Sequence, residues 1–202
     1  MVTAQPAPLH THYNERLCVD GAGLDQSGLL HKTGFNADTW QVNYAGPITH
    51  PTGGIEGSCW IEFDLGTTYE ISKMWVWNLN YAEGGTDYTG RGLKDVSIQC
   101  STNGTTWNLL TTTTINRSTY GDGSPYPHET EIDFGGVNAR YVLVTPSLTT
   151  GWWNPAQYVY GLAEVRFFKK GIASDINHNN TVNFADFGTL AGEWLKQEYW
   201  PQ

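Results

Sequence analysis

Positive charge is scarce in this chain: eleven Lys and Arg face twenty Asp and Glu among 202 residues, for a formal net charge of -9. The few cations are scattered, so there is no basic stripe to neutralise phosphates, which argues against nucleic acid and acidic membranes as partners. No apolar run approaches the roughly 18 residues of a membrane-spanning helix, which argues against membrane insertion. The start, MVTAQPAPLH, also lacks the apolar core of a signal peptide, so the sequence reads as a mature or trimmed chain. Cysteine is limited to Cys18, Cys59 and Cys100, without a CxxC pair or zinc-like spacing. An odd number allows at most one disulfide; Cys59 and Cys100 each fall on the apolar side of an alternating run and read as core residues, either free or paired with Cys18. Missing too are a G-x-S-x-G elbow, an HExxH helix, a phosphate loop and a dinucleotide fingerprint, so the chain reads as non-catalytic. The enzymatic alternative left open is a glycoside hydrolase component whose two acids lie far apart in sequence.

What is present favours short strands joined by polar loops: nine Trp, eleven Tyr and 23 Gly, with only 15% charged residues. Cys59, Ile61, Phe63 and Leu65 alternate with Trp60, Glu62 and Asp64, predicting a half-buried strand that stops at Gly66. A second strand is expected from Ile71 to Asn80, followed by a long loop through Gly84-Gly85 to Gly90-Arg91-Gly92. Val96, Ile98 and Cys100 alternate again, and Thr102-Asn103-Gly104 marks a hairpin into Trp107, Leu109 and the threonines 111 to 114. Further strands are expected over Glu129–Phe134, Arg140–Thr145 and Tyr158–Phe168, the first two separated by Gly135-Gly136. Trp40, Trp60, Trp75, Trp77 and Trp107 are assigned to core or strand packing. At Lys169-Lys170-Gly171 the character changes. Phe184, Phe187, Leu190, Ala191, Trp194 and Leu195 then recur at helical spacing, a stripe too short to stand without docking on something. These patterns divide the chain into an all-β binding domain over residues 1–170 and a tail over 171–202.

The ordered set Trp60-Ile61-Glu62-Phe63-Asp64-Leu65-Gly66, Ile71-Ser72-Lys73-Met74, Arg91-Gly92-Leu93-Lys94-Asp95-Val96, Ser101-Thr102-Asn103-Gly104 before Trp107, Arg140-Tyr141-Val142 and Gly161-Leu162-Ala163-Glu164-Val165-Arg166-Phe167-Phe168 resembles the discoidin, or coagulation-factor type C, family over roughly residues 17 to 168. The resemblance implies an eight-stranded jelly-roll β-sandwich whose loops at one end bind ligands, very often galactose-type or other sugars in bacterial members. Many discoidin domains tie their ends with a disulfide, whereas Cys18 has no partner near residue 168, which places this chain closer to the bacterial glycan binders. Secretion follows from the same likeness. The resemblance also implies a structural calcium ion beneath the loops, with Asp38 and Glu164 at the places of its ligands.

In the tail, Asp175, Asn177, Asn179, Asn183 and Asp186 occupy positions 1, 3, 5, 9 and 12 of a calcium loop, and Thr181 offers its carbonyl at position 7. With only Asp175 and Asp186 charged, weaker calcium binding is expected than in a loop with four carboxylates. The segment resembles half of a dockerin, the module that docks secreted enzymes onto cohesins, with Asp at position 12 running into a helix. Dockerins normally carry two such repeats and only one is found, so a cohesin-like partner is an open expectation.

A sugar needs an aromatic face for its C–H side and forked polar groups for its hydroxyls. Trp152 and Trp153 are adjacent in a loop and cannot both point into one core. Arg91 offers a planar donor fork, with a salt bridge to Asp87 or Asp95 as the structural alternative. Asn80 adds a donor and an acceptor, and Tyr44, His50 and Tyr120 sit in other loops. The leading reading is a secreted carbohydrate-binding module for terminal sugars. The alternative is a structural or adhesive module meeting another protein in an extracellular assembly.

Overall fold

The computed structural model describes residues 1–8, 13–32, 39–44, 46–119, 124–171 and 182–194. Its strands are β1 (Val2–Gln5), β2 (Leu30–His31), β3 (Trp40–Asn43), β4 (Trp60–Asn78), β5 (Ala82–Glu83), β6 (Thr86–Asp87), β7 (Asp95–Ser101), β8 (Asn108–Thr114), β9 (Tyr126–Pro127), β10 (Thr130–Pro146) and β11 (Val159–Lys169). Short 3-10 turns lie at Glu15–Cys18, Thr89–Arg91 and Pro155–Gln157, and a helix, α1, spans Phe184–Trp194. Among the described residues no helix is long and apolar enough to cross a membrane.

The principal sheet runs β3-β11-β4-β10-β7-β8, with β1 paired to β4. Its two longest strands serve both layers of a sandwich. Residues 60–64 of β4 pair with β1 and with the second half of β10, which continues the layer through β7 to β8. Residues 71–78 of β4 pair instead with the first half of β10 and with β11, which continues to β3. The inward residues of both layers, among them Ile61, Phe63, Ile98 and Val142 from one and Trp40, Met74, Val76 and Leu162 from the other, form one buried cluster. Alternation along each strand supplies that inner face, as expected for a sandwich with one solvated side. The all-β jelly-roll architecture is therefore as the sequence implies.

Two details differ from the sequence reading. The expected stop at Gly66 is a bend, and the strands expected on either side of Gly135-Gly136 are one strand, β10. Gly66, Gly135 and Gly136 all have positive φ, at 88°, 61° and 81°. The register between β4 and β10 shifts between Asp133 and Val137 and again between Ala139 and Tyr141. Extra residues at such bulges bend a strand without ending its pairing, and glycine takes the left-handed backbone at no steric cost. All three cysteines are free and buried.

The strand directions gather the segments 44–59, 79–94, 115–129 and 147–158 at one end of the sandwich, while the β7–β8 hairpin and the glycine bends lie at the other. Asn78, at the end of β4 and fully buried, ties two of these loops to the sheet. Its Nδ2 donates to Leu93 O at 2.7 Å and Asn116 O at 2.9 Å, and its Oδ1 accepts from Leu93 N at 2.9 Å. Gly92 has to be glycine here, because a Cβ would lie 2.6 Å from Asn78 Oδ1.

Beyond β11, α1 begins with a reciprocal cap. Asn183 Oδ1 accepts from Ala185 N at 2.7 Å, and Asp186 Oδ2 accepts from Asn183 N at 2.8 Å. The apolar stripe of the helix was expected to dock. Instead Phe184, Phe187 and Leu190 are 84%, 60% and 45% exposed. The caps satisfy the helix terminus locally, and the stripe has no partner among the described residues.

Candidate functional site

The loop end is organised around Arg91. The turn Thr89–Arg91 touches the turn Pro155–Gln157, and Asn154 N donates to Gly90 O at 2.9 Å. The approach is close enough that a Cβ on Gly90 would lie 2.6 Å from the Asn154 Cβ. The half-buried Arg91 guanidinium lies 4.1 Å above the Tyr88 ring, which is itself stacked on Tyr81 at 5.1 Å. Arg91 Nη1 donates to Gln41 Oε1 at 3.3 Å, while Nε has no hydrogen-bond partner among the described residues. The salt bridge weighed from the sequence is not formed. Asp87 pairs with Arg117 at 2.7 Å, and Asp95 accepts from Thr114 Oγ1 at 2.6 Å. Arg91 is thus a cation held flat by an aromatic ring with no ion pair among the described residues, an arrangement that keeps donor capacity for an external acceptor.

On another loop at the same end stands Tyr158, which the sequence reading assigned only to the start of a strand. Its φ of 49° is the one positive value at a non-glycine residue among the described residues. The side chain is 66% exposed. Asn154, whose Oδ1 accepts from Ala156 N at 3.1 Å, caps the preceding turn, and Tyr158 O accepts from Tyr44 N at 2.8 Å. Those contacts hold the residue in a backbone conformation that favours glycine, a kind of strain that clusters at functional positions. Gln41, which accepts from Arg91, lies within β3, and Tyr44, whose N–H donates to Tyr158 O, follows its last residue. Arg91 and Tyr158 thus lie on two loops at the same end of the sandwich. The turn-forming Asn154-Pro155 was the local signal that could have drawn attention to Tyr158.

The other sequence-derived candidates are distributed differently. Trp152 packs edge-on against Tyr44 at 5.5 Å and Tyr160 at 5.4 Å and closes the core. Trp153 donates from Nε1 to Leu93 O at 3.2 Å and lies under Lys94, whose Nζ is 5.1 Å from its ring. Both indoles are half-buried braces for the loop carrying Arg91. Asn80 is only 1% exposed; its Nδ2 donates to Ser124 O at 3.4 Å, which places it within the loop wall. His50 does not join this cluster. Its segment folds over the outer face of the first layer, where its ring meets Trp60 at 4.3 Å and Trp107 at 5.4 Å. Its Nε2 is 3.3 Å from Glu62 Oε2. Burial lowers the His50 pKa and raises that of Glu62, which Asp64 raises further, so both shifts work against an ion pair at this contact. Tyr120 lies outside the described residues.

Of the cation ligands implied by resemblance, Asp38 lies outside the described residues and Glu164 is 1% exposed on β11. Its Oε2 has no hydrogen-bond partner among the described residues. Burial and then Asp20 push its pKa up to about 7, against the Gly21 N–H and Arg166. A groove of about 500 Å³ lined by Asp20, Glu164 and Arg166 among others runs past it. A buried carboxylate oxygen without a donor, beside a second carboxylate, fits a hard cation. Among the described residues, however, no group of three or more His, Cys, Asp or Glu side chains is arranged to hold a metal. Of the tail loop, Asp175, Asn177, Asn179 and Thr181 lie outside the described residues. Asn183 and Asp186 are the capping pair of α1.

A jelly-roll sandwich with its loops gathered at one end is the discoidin-type architecture. Residues 44–144 match the family model of the F5/F8 type C, NedA-like, galactose-binding domain, and the chain belongs to that family. Among solved structures, it is similar to the third family 32 carbohydrate-binding module of a family 31 glycoside hydrolase from Clostridium perfringens, at 17% identity and TM-score 0.51, covering 83% of this chain and 88% of that one. A truncated AlyQ with a module of the same family and an alginate lyase domain is similar at 17% identity and TM-score 0.50, covering 86% of this chain and 33% of that one. The AlyQ module alone, in complex with 4,5-unsaturated mannuronic acid, is similar at 18% identity and TM-score 0.48, covering 83% and 93%. No curated protein matches the sequence.

Proposed function

We propose that this chain is a non-catalytic carbohydrate-binding module that takes terminal sugars at the loop end of its sandwich. The observation that carries the reading is the Arg91 guanidinium, clamped on Tyr88 with no ion pair among the described residues, on the same loop end of the sandwich as the exposed ring of Tyr158. A pyranose presents an apolar C–H face to an aromatic ring and vicinal hydroxyls to a planar donor fork, and both elements are supplied here. Family membership supports the same ligand class. Calcium at Asp38 and Glu164 would stiffen the loops from beneath and take no part in chemistry. The test is a glycan array screened with calcium and again with a chelator: calcium-sensitive binding to a defined terminal sugar is expected, and a blank array from folded protein would reject the reading.

For the tail, the uncovered Phe184, Phe187 and Leu190 face of α1 favours a protein partner. We read it as a calcium-dependent, dockerin-like element of a secreted bacterial protein for a cohesin-like partner, with Asp175, Asn177, Asn179, Thr181, Asn183 and Asp186 as the ion's ligands. Asp175→Ala is expected to expose residues 184 to 195 to protease in calcium-containing buffer. Protease resistance equal to that of the unaltered chain would count against the calcium loop.

A further inference from the structure

Glu129 lies at the knot of the ligand end, in neither the sugar site nor the cation site. Its Oε2 accepts from the backbone N–H of Asn78 at 2.9 Å, and its backbone O accepts from Asn116 Nδ2 at 2.8 Å. Asn78 in turn joins Leu93, on the loop carrying Arg91, to Asn116, on the loop that ends at Glu129. The Tyr126 hydroxyl donates to Asn78 O at 2.8 Å, closing the same knot. Glu129 Oε1 is buried without a hydrogen-bond partner among the described residues. Among the described residues no cation pairs with it. Arg117 is turned to Asp87 and Thr89, Lys73 to Glu131, and the His128 ring is stacked on Trp75 at 4.1 Å on the sheet's outer face. The titratable group facing Glu129 is the Tyr126 phenol, beyond which lies Glu164.

We propose that Glu129 is a pH-operated latch: protonated, it holds the loop of Arg91 and the 115–129 loop together, and as it ionises the two loops part. A neutral carboxyl is at home in this enclosure and still accepts from Asn78 N–H. An anion draws on the N–H groups of Asn78 and of Glu129 itself and on the Ser118 hydroxyl, but its buried Oε1 makes no hydrogen bond among the described residues, so it gains by drawing water between the loops.

Burial pushes the Glu129 pKa up to about 7, with the Asn78 N–H and the Ser118 hydroxyl pulling the other way. Because the folded value lies above the usual carboxylate value, the contribution of this group to stability is complete below the ordinary carboxylate range and is lost as pH rises through about 7. The loops are therefore tight in mildly acidic surroundings and looser in alkaline ones. The consequence for ligand affinity rests on the sugar-binding reading; the motion of the loops does not.

The experiment follows the backbone amides of Asn78 and Asn116 by NMR in the full chain, from about pH 5.5 to about pH 8.5. A titration centred near 7 is expected in the unaltered chain and is expected to vanish in Glu129→Gln, which mimics the protonated form. Ser118→Ala, which removes a donor to the anion, is expected to move the midpoint upward, and it serves if Glu129→Gln fails to fold. Amide positions that stay flat across this range, or a midpoint that persists in Glu129→Gln, would overturn the latch. Affinity for the best array glycan should fall about threefold or more across the same range and stay level in Glu129→Gln. If Asn78 titrates as described while no glycan binds, the latch stands and the sugar reading fails.

Discussion

Truncating Arg91 to alanine is expected to weaken glycan binding by about ten- to a hundredfold, the loss of charge-assisted hydrogen bonds worth about 1.5–3 kcal/mol, with little change in thermal stability. The reasoning is local. Among the described residues Arg91 has no ion pair to lose, and its side-chain hydrogen bond, to Gln41, is long at 3.3 Å. Isothermal titration with the best array glycan reads the first effect and a melting curve the second. Tyr158→Ala should act in the same direction, and because it also relieves a left-handed backbone only in part, Tyr158→Gly is the informative companion. If Arg91→Ala binds as well as the unaltered chain, the site lies elsewhere on the molecule. Trp152 provides the contrast. It packs on Tyr44, Tyr160 and the core, so its truncation should cost stability first and affect binding only through the loop.

Asn78→Ala is expected to be among the most destabilising single changes, costing about 3–5 kcal/mol in a denaturant titration, because it leaves several buried peptide groups unsatisfied. The Leu93 N–H loses its partner, the Leu93 carbonyl keeps only the Trp153 indole, and the Asn116 carbonyl loses the Asn78 amide. No rearrangement of alanine can replace them. Asn80→Ala is the control two residues away. Asn80 donates one long hydrogen bond, 3.4 Å to Ser124 O, and its Oδ1 is already without a partner among the described residues, so removing it should cost far less. Equal losses at the two positions would show that the knot drawn around Asn78 is not what holds these loops.

The sequence by itself determined the inner face of the sandwich. Ile61 and Phe63, and Val96 and Ile98, alternate with polar neighbours, and the period of two is a property of each strand alone. The Ser101–Gly104 turn was legible for the same reason: Ser101 Oγ accepts from Gly104 N at 2.9 Å, and Asn103 Oδ1 accepts from Thr105 N at 2.9 Å. The order of such segments was enough to indicate the family, and Arg91 stood out as a cation in a glycine-rich loop. What only the tertiary structure decided is which loops meet. Gly66 and Gly135-Gly136 look like stops in sequence, yet they bend β4 and β10 from one layer into the other, because partner strands distant in the chain continue the pairing across them. His50 and Arg91 look alike as loop residues, yet one is drawn onto the outer face by Trp60 and Trp107 while the other is set at the ligand end by Tyr88 and Gln41. Asn78 gave no signal at the end of an apolar run, and Tyr158 none at the start of a strand. Periodicity reports what a residue does along its own strand; burial, exposure and partnership at a loop end depend on contacts between segments dozens of residues apart, and those are settled only when the layers close on one another.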